Sequence, residues 1–440
     1  MNRTTTFNSA GFAPGSESFF QQYQSLIGVG YGLGRFPNQT EQTNYFAQHG
    51  ISVATNSFWF SQVGQRVELF NEEDLTQVGN HRIYKLTDSL ALSAALEMLD
   101  PTMTTVRANA LLELGSNRTV ASLEGTLDSL RRLLGGTAVS TTLVGDAGDS
   151  VASRVAYQSN LKTFTDSAAF KAIAGKVSLS ASSASLATTA RTDFASLLSL
   201  LTLSPIVLRA TAGNEAMVES ALKTAWNTAY DAWAIDKVMT QTDRDAGKAT
   251  YSDQWLADRA AMLAALVLRN QQDAGLEISS TFGMRPVQYE DVTTGTRLQI
   301  GLPSVLVEKP QVLFGGDAAD PLNGQSLADH LYGGAGDDVL SGLGGTDYLE
   351  GNVGADQLNG GADNDTLVGG VGNDFYEFDA SWGRDVVKDG DGKGSIQLDG
   401  ITLSSARGFG KASQWVVDLG ADVYAGLALY DNLASSTGKR

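Results

Sequence analysis

The chain has 440 residues, no cysteine, and 49 acidic against 31 basic residues, for a formal net charge of −18. The missing cysteines exclude disulfide scaffolds, thiolate metal sites and cysteine nucleophiles. The acidic balance argues against nucleic acid as a partner and against an anionic lipid surface. Such a length accommodates two or three domains with cores of their own, and the patterning predicts a multidomain α+β chain.

Residues 1–85 read as a partial α/β segment. TTTFN, ISVAT (51–55) and RVELF (66–70) have strand character, and SESFFQQYQSLIG carries an amphipathic helical pattern behind a Ser cap. The opening MNRTTTFNSAGF contains no apolar run suited to a signal peptide.

From 86 to 275 the period becomes helical. Leu86–Asp100, Met103–Leu114, Ser122–Leu134, Ala190–Leu203, Glu215–Ile235 and Asp253–Gln272 are the expected helices. The low-complexity stretch 178–190 reads as a loop. The longest apolar run, Phe194–Leu208, is too short to span a bilayer and is interrupted by Pro205, so it reads as a buried helix and no transmembrane segment is expected.

Residues 276–314 return to strand patterning in LEISSTF, RPVQYED, TRLQIGL and SVLVEKPQVLF, and read as a β connector. A nine-residue period then begins at Gly315: GGDAADPLN, GQSLADHLY, GGAGDDVLS, GLGGTDYLE, GNVGADQLN, GGADNDTLV and GGVGNDFYE. Each window opens on Gly, has Asp in sixth place, and has Leu in eighth place except for Tyr376 in the last. Residues 315–377 hold 12 acidic residues and no Lys or Arg. Residues 378–440 read as a β-rich cap of short strands that close the repeat region.

The period predicts a parallel β-roll in which a six-residue turn precedes a three-residue strand. Two windows make one coil, so the Asp side chains fall into two stacks, Asp320, Asp338, Asp356 and Asp374 on one edge and Asp329, Asp347 and Asp365 on the other. Calcium takes six to eight oxygen ligands in loose geometry, which carboxylates and backbone carbonyls can supply. The candidate ligands are these seven carboxylates with the carbonyls of the first, third and fifth turn positions. Those carbonyls belong to Gly333, Ala335 and Asp337, Gly342, Gly344 and Thr346, and Gly351, Val353 and Ala355. They continue with Gly360, Ala362 and Asn364, and with Gly369, Val371 and Asn373. Several Ca2+ ions are expected, with Asp320 and Asp329 the weakest contributors because their windows lack some of the glycines.

The G-G-x-G-x-D-x-U-x period resembles that of RTX proteins. The resemblance implies a calcium-binding roll that folds outside the cell, export through a type I secretion apparatus of a Gram-negative bacterium, and an extracellular location. The basic ending GKR departs from the usual secretion signal. A second resemblance covers residues 3–95. TTTFNSAGFAPGSE and VGNHRIYKLTDSLAL look like the rear part of RTX-bearing bacterial lipases of the α/β-hydrolase type, in which the match to the catalytic base is His81 and the implied substrate is a lipid or ester. No G-x-S-x-G elbow occurs in the chain, and no HExxH zinc-protease motif. The leading expectation is a secreted calcium-binding RTX protein. The alternative is a fragment or relative of an RTX lipase or phospholipase whose nucleophile lies outside this chain, and whether the chain is an enzyme stays open.

Overall fold

In a computed structural model the described residues are 4–7, 42–47, 65–70, 83–117, 122–136, 151–272, 274–275, 277–278, 285–301, 308–378, 383–398, 401–403 and 414–418. The fold is mixed α+β, with a helical middle region and a C-terminal parallel β-solenoid of about six turns. Two compact units emerge, one of residues 1–182 with 204–225 and the other of residues 183–203 with 226–440.

The first unit contains a three-stranded parallel sheet of Thr4–Phe7, Gln42–Ala47 and Gln65–Leu69. Helices Ile83–Leu99, Thr105–Gly115, Leu123–Gly135, Val151–Asp166 and Ala168–Ile173 follow. Their apolar faces meet in a core that includes Leu96, Leu112, Leu127, Tyr157 and Phe170. Two starts are capped by side chains, Thr104 accepting from Arg107 N and Ser167 from Phe170 N. Asp100, fully buried, anchors the end of the first helix. It accepts from Leu179 N at 3.0 Å and pairs with Arg107 at 3.1 Å.

Three expectations need correction. Residues 178–190 are not a loop: Val177–Ala181 pairs antiparallel with Ile206–Ala210, and Leu186–Ala190 is helical. The run 194–208 is accordingly split. Its helix stops at Leu201, and the segment beyond Pro205 is strand, since Pro removes an amide donor and restricts the residue before it. The single helix expected over 215–235 is two, Glu215–Ala225 and Asn227–Asp236, broken where Trp226 takes φ −126° and ψ 42°.

In the second unit, helix Asp253–Gln271 lies against the first strands of a nine-stranded sheet. Ser252 caps it, accepting from Trp255 N at 3.0 Å. Arg259 forms a buried ion pair with Asp291 at 2.9 Å, donates to Leu200 O, and lies 4.6 Å from the Phe314 ring. The connector strands Glu277–Ile278, Val287–Asp291, Thr296–Ile300 and Gln311–Phe314 belong to this same sheet. Gln311–Phe314 pairs in parallel with His330–Ala335, so the connector and the roll share one ladder.

The roll has two parallel sheets. One contains His330–Ala335, Tyr348–Val353, Thr366–Val371 and Arg384–Lys388; the other contains Pro321–Asn323, Val339–Ser341, Gln357–Asn359, Phe375–Phe378 and Ser395–Leu398. Three-residue strands are found on the second sheet, in Pro321–Asn323, Val339–Ser341 and Gln357–Asn359. On the first, His330–Ala335, Tyr348–Val353 and Thr366–Val371 are six residues long because pairing runs on through the next turn, Gly334 to Asn352 to Gly370. Leu322, Leu331, Leu340, Leu349, Leu358, Leu367, Tyr376, Val387 and Ile396 form the apolar spine between the sheets. Each fully buried Leu contributes roughly 1.5–3 kcal/mol, so the spine is the main apolar term holding the coils together. The antiparallel strands Ile401–Leu403 and Gln414–Asp418 pair with the last strands of the two sheets.

Candidate metal centre

The expected Asp residues fall into two stacks. On one edge Asp320 N donates to Asp338 Oδ1, Asp338 N to Asp356 Oδ1 and Asp356 N to Asp374 Oδ1, at 2.8, 2.8 and 3.2 Å. On the other edge Asp329 N donates to Asp347 Oδ1 and Asp347 N to Asp365 Oδ1, both at 2.8 Å. Each link spans 18 residues, one coil. The Asp carbonyls are also used, as in Gln357 N to Asp338 O and Thr366 N to Asp347 O.

These bonds leave one oxygen on each carboxylate. The Oδ2 atoms of Asp338, Asp347, Asp356, Asp365, Asp374 and Asp385 are buried and have no hydrogen-bond partner among the described residues. An unpaired buried carboxylate oxygen costs more than an ordinary missing hydrogen bond, because the charge itself is desolvated. Burial, reinforced by neighbouring carboxylates, accordingly pushes Asp338, Asp347, Asp374 and Asp385 up to about 7, and Asp356 and Asp365 up to about 6.

The first two turns differ. Asp320 Oδ2 accepts from Gly316 N at 2.7 Å, and Asp329 is fully buried with Oδ1 on Gln311 N and Oδ2 on Gln325 N. The second turn residue explains the contrast. Gly334, Leu343, Asn352, Gly361 and Gly370 all have positive φ, whereas Gly316 and Gln325 do not. The sign of φ sets which way that N–H faces relative to the following chain. In the left-handed turns no such bond forms, and Oδ2 is left bare.

The first-position glycines are required for space. A methyl group on Gly333 would come within 2.4 Å of Asp338 Oδ2 and 2.8 Å of Gly351 O; on Gly342, within 2.2 Å of Asp347 Oδ2 and 2.5 Å of Gly360 O. The bare carboxylate oxygen and a carbonyl of the next coil therefore face one small space that a side chain would fill. Among the described residues no three His, Asp or Glu side chains converge on one point, so a cation here must draw on backbone oxygens. Hard, neutral carbonyls beside a carboxylate suit Ca2+, and the residues present fit that ion. Not every expected carbonyl is free of other duty, since Val353 O and Val371 O accept from Gly336 N and Gly354 N. Asp337 bonds sideways, its Oδ1 accepting from Ala355 N.

The sequence reading missed Asp385, which lies beyond the last full window. It also missed a polar seam between the start of helix 253–271 and the roll. Fully buried Glu350 accepts from Ser252 Oγ at 2.6 Å and from the Tyr348 hydroxyl at 2.8 Å, and burial pushes it up to about 7. His330, on an outward strand position, bonds through Nδ1 to Asp258 at 2.6 Å. His81 lies outside the described residues, as does the ISVAT segment.

A parallel β-solenoid whose turns carry stacked, half-satisfied carboxylates is the architecture of a cation-binding roll. The model of the RTX calcium-binding nonapeptide repeat (4 copies) matches residues 314–349 and again 341–376. The C-terminal region of this chain thus carries RTX calcium-binding repeats folded as a β-roll. Comparison with curated proteins gives no match. Among the described residues, no helix is long and apolar enough to cross a membrane.

Proposed function

We propose that the roll is a calcium-dependent folding module, and that this chain is a calcium-binding RTX protein working outside the cell. One observation carries the reading: the buried Oδ2 atoms that have no protein partner among the described residues, in turns where the protein could have supplied one, as it does for Asp329. Without cations, stacked carboxylates one coil apart repel each other, and the closed turns are disfavoured. Bound calcium supplies the missing partner, so its binding free energy becomes folding free energy.

In this reading Asp338, Asp347, Asp356, Asp365 and Asp374 are the carboxylate ligands, with first-position carbonyls such as Gly351 O and Gly360 O beside them. Asp320 and Asp329 serve as structural ends of the two stacks, since backbone amides already occupy their Oδ2 atoms. Repeats of this kind are typical of secreted bacterial proteins. Export before folding, through a type I apparatus, suits a module that stays open at low intracellular calcium and closes outside.

Calorimetric titration of the metal-free full chain tests the proposal. The expected result is uptake of several calcium ions, with magnesium a poor substitute because its small octahedral shell suits such turns badly. No calcium uptake would refute it.

A further inference from the structure

The repeat signature ends at residue 376, yet the carboxylate ladder does not. Asp365 N donates to Asp385 Oδ1 at 2.9 Å across 20 residues, the same bond as in each earlier coil but with two extra residues in the chain. Val386 N donates to Asp365 O at 2.8 Å, and Arg384 N to Asn364 Oδ1 at 2.7 Å. Thr366, Leu367 and Val368 pair in register with Val386, Val387 and Lys388, and Val387 takes the buried eighth-position slot of the spine. The coils approach as closely here as within the repeats, since a methyl group on Gly383 would come within 2.2 Å of Asp363 O.

Asp385 is wholly buried, and its Oδ2 has no hydrogen-bond partner among the described residues. The opposite edge ends otherwise. There Ser395 N still donates to Asp374 O, but Gly394 stands in the Asp slot. Asp389 closes that last turn by itself, with Oδ1 on Gly392 N and Oδ2 on Gly394 N, both at 2.7 Å. One terminal carboxylate is thus bare and the other fully bonded.

We infer that Asp385 is a calcium ligand outside the repeats, holding with Asp365 a further ion at the end of one stack. This rests on the calcium reading above and adds to it a site at the coil contributed by the non-repeat segment. The site gives that segment a part in calcium binding as well as in closing the spine. With Asp385 included, each edge of the roll carries three bare carboxylates, Asp338, Asp356 and Asp374 on one and Asp347, Asp365 and Asp385 on the other.

The test counts calcium per folded chain by native mass spectrometry of the full-length protein, comparing wild type with Asp385→Asn and Asp389→Asn. Asparagine at 385 keeps a carbonyl oxygen as the acceptor for Asp365 N and puts an NH2 group, which cannot ligate calcium, in the place of Oδ2. Loss of one ion from D385N, with none lost from D389N, is expected. An unchanged count in D385N, or an equal loss from D389N, would overturn the inference while leaving the wild-type count to judge the parent reading. Should D385N fail to fold, a crystal structure of the wild type grown with calcium decides. An anomalous peak at about 2.3–2.6 Å from Asp385 Oδ2 is expected. Peaks on Asp356 and Asp365 with none on Asp385 would overturn the inference.

Discussion

Asp338 donates its backbone N–H to Asp356 Oδ1 at 2.8 Å, while the second oxygen of each carboxylate is buried without a partner among the described residues. Half of every such side chain builds the coil, and half is left for something the chain does not contain. Substitutions should therefore divide by what Oδ2 does and not by where the Asp falls in the repeat. Asp356→Ala should move the midpoint of a calcium titration upward by about tenfold or more, since charge-assisted partners contribute roughly 1.5–3 kcal/mol. Asp329→Ala removes a carboxylate that amides already saturate, so it should lower the stability of the roll with little change in the number of ions bound. Calorimetric titration of both variants checks this, and equal loss of ions from both would contradict it.

The turn at 342–343 should respond oppositely at its two residues. Leu343 has φ 72° and is more than half exposed, so Leu343→Gly relieves a left-handed conformation at little cost in packing. A gain of about 1 kcal/mol is expected. Gly342→Ala puts a methyl group into the space between Asp347 Oδ2 and Gly360 O and should weaken calcium binding sharply. Denaturant titrations with and without calcium measure both effects.

Much of this was legible in the period alone. The nine-residue spacing of Gly, Asp and Leu suffices to derive the two stacks and the spine. Asp385 was hidden because the last link is 20 residues instead of 18, and a period search stops at the first insertion. The Ser252–Glu350 bond joins residues 98 apart, and no local pattern announces such a contact. The short strand 177–181 was masked by its Ser and Ala content, which reads as loop until Ile206–Ala210 supplies the partner. In these places tertiary pairing overrides local propensity.

The spine should be the main non-electrostatic support of the roll. Leu349, fully buried mid-stack, has Leu331 and Leu367 as its in-register neighbours. Leu349→Ala should cost about 2–5 kcal/mol in saturating calcium, read from chemical denaturation of the roll. A loss below about 1 kcal/mol would mean that the cations alone hold the coils.

Metal-free and calcium-loaded protein should show opposite pH dependence. The buried carboxylates have folded pKa values raised to about 6 or 7, above their ordinary range near 4. A raised folded value contributes stability that is fully present below the unfolded pKa and lost as pH climbs through the folded one. In chelator the roll should therefore be more stable at pH 4 than at pH 8. With calcium the order reverses, because protons compete with the ion for the same oxygens. Thermal unfolding followed by circular dichroism at both pH values, with chelator and with calcium, is the check.

The central claim is that calcium is the missing partner of the buried Oδ2 atoms and that at neutral pH the roll closes only when it binds. Hydrogen exchange of the full-length chain measures this most directly, with peptides from 315–398 followed in chelator and in millimolar calcium at neutral pH. The expected result is fast exchange through those residues in chelator and strong protection in calcium, with much smaller changes in peptides from 83–173. Equal protection of 315–398 in both conditions would contradict it.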